Sequence, residues 1–169
     1  PIPSSFTPST SNDKNALGNT VTVSDYIVVS ELNSQPNGLT TPPMITIGLF
    51  CHEYGHGIGW PDLYDSNGAT PLLSAGVGEW CLMGSGSFNR TPGGLSGNSP
   101  CWANPFLRIQ SGWLTPTYTI ANPRGQRIPD SKDENSVIQM WDAPPVGEYF
   151  LVENRQQTGF DIGLPGSGL

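Results

Sequence analysis

Residues 52–62 read His-Glu-Tyr-Gly-His-Gly-Ile-Gly-Trp-Pro-Asp, and this stretch decides how the rest of the chain is read. On a helix, residues four apart share a face about 6 Å apart along the axis, so His52 and His56 can turn their imidazoles to one metal ion. The chain has only these 2 histidines, and both fall in the motif. Glu53 lies beside the first. A zinc ion held by the two rings would lower the pKa of a bound water towards about 7, and the Glu53 carboxylate is the base in reach of its proton.

The residues before the motif support a helix. From Met44 to Gly59, Ile47, Cys51, Tyr54 and Ile58 recur at helical spacing. Thr46 is a natural starter, Gly59 a natural terminator, and Pro61 forbids continuation. Catalytic zinc wants a third protein ligand and leaves a fourth position open. Asp62 follows the turn at Gly59, where glycine lets the chain leave the helix sharply. Glu79 is the rival third ligand, four residues before Met83 in Gly-Glu-Trp-Cys-Leu-Met-Gly-Ser-Gly, residues 78–86. Met83, next to Gly84 and Gly86, suits a methionine turn beneath a zinc site.

The spacing His-Glu-x-x-His-x-x-Gly-x-x-Asp followed by Met83 resembles the metzincin arrangement, with Asp in place of the usual third histidine. More specifically, the chain resembles the immune inhibitor A family of secreted metallopeptidases. The resemblance rests on residues 47–65, 76–87, 111–114 and 149–169, the last reading Y-F-L-V-E-N-R-Q-Q-T-G-F-D-I-G-L-P-G-S-G-L. It implies a secreted zinc endopeptidase acting on proteins or peptides, with further domains in the same protein and an association with calcium. His52 and His56 carry over as ligands and Glu53 as base, while Asp62 and Glu79 both match family positions. Cys51 and Cys81 depart from the Ala and Ser common in the family.

Elsewhere the chain reads as loop-rich. Residues 1–20 and 33–43 suggest loops, 21–32 a strand, 60–100 a long structured loop, 102–114 a short helix ending at Gly112, and 136–141 and 148–153 two strands. The expected fold is α+β: a metzincin-like catalytic core with one active-site helix, long Gly-rich loops and a few strands. Residues 1–169 are expected to be part of a single metallopeptidase catalytic domain, truncated at both ends. With 7 basic against 14 acidic residues and no basic cluster, a nucleic-acid partner is not expected. No apolar run is long enough to span a bilayer.

Other candidates stay open at this level. Asp65, Asn67 and the backbone near Gly68 could form a calcium loop or a plain Asx turn. Tyr64 or Arg155 could face an oxyanion, or be packed. Glu153 and Asp161 could be functional or sit at a solvated strand edge. Asn89-Arg90-Thr91 is a glycosylation sequon in a Gly-rich loop. Of 3 cysteines, Cys81 and Cys101 could be bridged across a loop of about 20 residues, stabilising by roughly 3 kcal/mol, with Cys51 a buried free thiol; Cys51–Cys101 is the alternative. Two rival functions are a non-catalytic zinc-binding module, which the intact Glu53 argues against, and a metal-dependent amidase on a non-protein substrate.

Overall fold

In a computed structural model, the described residues are 9–23, 26–33, 43–67, 74–119, 125, 127–133, 136–140 and 148–168. The fold is mixed α and β, with short elements separated by long loops. In order come β1 (Ser9–Lys14), β2 (Thr20–Val23), α1 (Ile47–Gly57), α2 (Pro105–Gln110), β3 (Thr117–Thr119), β4 (Ile138–Met140) and β5 (Phe150–Val152). Short 3-10 turns at Gly78–Trp80, Ser85–Phe88 and Gly159–Gly163 punctuate the loops. β1 and β2 form an antiparallel hairpin; β3, β4 and β5 form a second sheet in that order, β4 pairing parallel with β3 and antiparallel with β5.

The hairpin corrects the reading of residues 1–20 as loop. Asn15 closes the turn, its Oδ1 accepting from the N–H groups of Leu17 and Asn19 at 3.0 Å each. β1 is the polar run S-T-S-N-D-K, so no apolar alternation could announce it. The strand expected over 21–32 is confined to Thr20–Val23 among the described residues, with Leu32 making an isolated bridge to Met44. β4 and β5 fall within the two strands expected near the C-terminus; Trp141 and the turn after it lie outside the described residues.

α1 starts after Thr46 and ends in a Schellman motif built on Gly59. Gly59 takes φ +93°, its N–H donates to His56 O at 3.0 Å, and Trp60 N–H donates to Gly55 O at 2.9 Å. A Cβ at Gly59 would meet nothing within 4 Å, so the cost of a side chain there is conformational alone. Gly59→Ala is expected to lose about 1–2 kcal/mol of stability. A urea titration checks this; an unchanged midpoint would mean the turn relaxes without cost.

The apolar stripe finds the helix but not its buried face. Ile47, Tyr54 and Ile58 are each at least 40% exposed, whereas Gly48, His52 and Gly55 point inward. That inner face is built for close approach: a Cβ at Gly55 would lie 2.5 Å from Met83 Sδ and 3.1 Å from Trp60 Cε3. Met83 therefore sits directly under α1, in a core with Trp60, Cys81, Ala103 and Leu107. Met83 and Leu107 are fully buried, each worth about 1.5–3 kcal/mol of transfer free energy.

All three thiols are free, which removes both expected bridges. Cys101 Sγ donates to Glu79 O and Cys81 Sγ accepts from Asn104 N–H, each at 3.3 Å, so both sulfurs are committed to the main chain. Burial pushes the Cys101 thiol up to about 12, against the pull of Arg155, and raises Cys81 as well. Cys51 is half-buried rather than buried, and burial raises it too. An alkylating reagent at pH 8 is expected to spare Cys81 and Cys101 in the folded chain and to label all three in denaturant without reductant. A disulfide-linked peptide in the unreduced digest would contradict this.

Candidate metal centre

The Schellman turn at Gly59 reverses the chain and brings Asp62 back to the two histidines. Asp62 Oδ1 lies 3.1 Å from His52 Nε2 and 3.3 Å from His56 Nε2. One ligand atom from each of the three residues lies within 4.8 Å of the others. The two rings stand edge to face, centroids 4.9 Å apart at 90°.

The outward nitrogens explain the inward ones. His52 Nδ1 meets Leu82 O at 2.9 Å, and His56 Nδ1 meets Trp60 O at 2.8 Å. A carbonyl only accepts, so each Nδ1 carries the proton and, in the neutral ring, each Nε2 presents a lone pair. Two lone pairs facing a carboxylate oxygen within 3.3 Å repel unless a proton or a metal cation lies among them. A tetrahedral ion with bonds of about 2.0–2.1 Å sets its ligand atoms roughly 3.3 Å apart, which these separations fit. The carbonyl partners are the outer contacts that usually orient metal-binding histidines.

The loop around Met83 holds two legs of the site at once. Leu82 O accepts from His52 Nδ1–H, and the next carbonyl, Met83 O, accepts from Leu63 N–H at 2.9 Å, fixing the residue after Asp62. Glu79 stands outside this group: its side chain is exposed, and its carbonyl accepts from Asn89 Nδ2 and Cys101 Sγ.

Glu53 follows His52 on the flank of α1 and is half-buried. Tyr64 is close by. Burial, a hydrogen bond to Asp62 and the charges of Asp62 and Glu53 all raise its pKa, so its phenol is a neutral donor at pH 7. On the other flank of α1, an apolar cavity of about 220 Å3 is lined by Ile47, Cys51, Trp60, Leu82, Trp102 and Trp113 among others. None of His52, Glu53, His56 and Asp62 is among the residues that line it, although Trp60 and Leu82 border both.

Several other candidates resolve differently from their sequence reading. Arg155 is 4% exposed and its guanidinium is spent: Nε and Nη2 clasp Asp161 at 2.7 Å each, and Nη1 reaches Glu153 and the Trp80 carbonyl. Asp161 also accepts from Trp102 N–H, and Glu153 from Arg108. Glu153 and Asp161 are thus ion-pair partners in a four-residue network with Arg108 and Arg155, all but Glu153 buried, that ties residues 153–161 to the loop under α1. Desolvation works against the Arg155 charge, but these carboxylates outweigh it and hold its pKa up. Asn89 is 5% exposed and its Nδ2 donates to Glu79 O at 2.9 Å, so the atom a glycan would join is buried. Asp65 Oδ1 accepts from Asn67 N–H at 3.2 Å, an Asx turn; Gly68 lies outside the described residues, and calcium gains no support.

Helix-borne histidines and a returning aspartate together form a group that could hold a metal ion. The family model described as Immune inhibitor A peptidase M6, catalytic domain, matches residues 7–114, and the chain belongs to that family. The chain is also similar to the pre-pro-metalloprotease PrtV of Vibrio cholerae serotype O1, matched in two strains, with 36% identity over 77 residues. That match covers 40% of this chain and 7% of the relative, so the chain spans well under a tenth of the relative's length. No solved structure matches. The ion network's Glu153, Arg155 and Asp161 lie beyond the matched residues. No helix among the described residues is long and apolar enough to cross a membrane.

Proposed function

We propose that this protein is a zinc-dependent endopeptidase that hydrolyses peptide bonds in proteins outside the cell. The reading rests on one observation above all: ligand atoms of His52, His56 and Asp62 converge to within 4.8 Å of one another, and Glu53 stands next to the first of these residues. His52, His56 and Asp62 would hold the zinc. When bound, zinc supplies a Lewis acid that polarises a carbonyl and brings the pKa of a coordinated water near about 7. The Glu53 carboxylate takes a proton from the attacking water and returns it to the leaving amide nitrogen as the C–N bond breaks. Tyr64 steadies Asp62 by donating to it. Met83 packs under α1 as the floor of a metzincin-like site. The chain forms part of one catalytic domain, with further domains in the same protein; the greater length of the matched relative supports this. The family and the low-charge, acidic composition support a secreted location.

Casein hydrolysis with and without a chelator tests the proposal. Activity is expected to vanish with chelator and return with added zinc. Chelator-resistant cleavage would refute it. Bound zinc with no hydrolysis of any kind would favour a non-catalytic module, and hydrolysis confined to non-protein amides would favour an amidase.

A further inference from the structure

α1 and α2 end in the same way, and their ends touch. α2 closes with Gly112 N–H donating to Ile109 O and Trp113 N–H to Arg108 O, both at 2.9 Å, with Gly112 at φ +72°. This is again a Schellman motif with glycine then tryptophan, as at Gly59 and Trp60. The two tryptophans meet, ring centroids 5.0 Å apart at 64°. The indole N–H of buried Trp60 donates to Ser111 Oγ, the residue that caps α2, at 2.7 Å. Trp60 is also the residue whose carbonyl accepts the hydrogen bond from His56 Nδ1–H. Pro61 follows and biases Trp60 to extended backbone, so the Trp60 side chain joins the Schellman hydrogen bond to Gly55 O in fixing where that carbonyl points.

We infer that Ser111 and Trp113 are positioning residues for the metal site: through Trp60 they aim the carbonyl that orients the His56 ring. The inference rests on the metal-site reading above. A core tryptophan with an incidental hydrogen bond would matter for stability only; a positioning chain would be felt at the metal.

The test uses the full chain, loaded with zinc for affinity by chelator competition and with cobalt(II) for visible spectra. Ser111→Ala tilts rather than removes the His56 outer contact, so it is expected to weaken zinc binding by up to about tenfold, no more than the lower end of what loss of such a contact costs, and to shift the cobalt bands. Ser111→Thr, which keeps the hydroxyl, should restore both. Trp113→Phe, a milder change that guards against misfolding of the first variant, should shift the bands in the same direction. His56→Ala serves as the reference and should lose the metal. Wild-type affinity and spectra in Ser111→Ala and Trp113→Phe, with the metal lost from His56→Ala, would overturn the positioning role alone. Zinc held as tightly by His56→Ala as by the wild type would overturn the metal-site reading and the positioning role with it.

Discussion

Glu53→Gln is expected to keep its zinc and lose about 100-fold or more of its peptidase activity. The substitution is nearly isosteric and leaves α1 undisturbed, since the inward face is Gly48, His52 and Gly55. It removes a proton acceptor, and general-base catalysis typically contributes 10²–10⁴-fold. Metal content by atomic absorption beside turnover on casein separates the two effects. Near-normal turnover would strip Glu53 of its role, and loss of zinc would make it a ligand rather than a base.

Asp62→Ala should weaken zinc binding by more than the 10–100-fold that loss of an outer contact costs, because a direct ligand goes. It would also leave the two Nε2 lone pairs with no carboxylate between them. Glu79→Ala should leave affinity unchanged, since that side chain is exposed and only its carbonyl is engaged. A competition titration on both variants checks the pair. Zinc retained by Asp62→Ala and lost by Glu79→Ala would transfer the third-ligand role to Glu79.

The site was legible where its chemistry is local. His52, Glu53 and His56 fall within five residues on one helix, and Gly59 and Pro61 announce its end. The polar hairpin of β1 and β2 was not legible, because a strand without a buried face carries no period-two signal. The inner face of α1 was misleading for the opposite reason: it is made of glycine and histidine, so the apolar stripe marks the outer side. Arg155 reads as an oxyanion candidate or a packed residue, and Glu153 and Asp161 as functional or strand-edge charges; only the tertiary fold brings the three together with Arg108. Ile-Gly-Trp at 58–60 and Ser-Gly-Trp at 111–113 are the same helix ending written twice, and the pair of endings is a contact.

Both histidines are aimed by main-chain oxygens, those of Leu82 and Trp60. Every amino acid brings a carbonyl, so no point substitution at either position deletes the acceptor; it can only tilt it. Ring orientation is therefore heritable as a path of the chain rather than as a pair of residues. Grafting the five-residue motif onto another helix would carry the ligands without their aim. A designer borrowing this centre would have to transplant the turn at Gly59 and the loop around Met83 along with it.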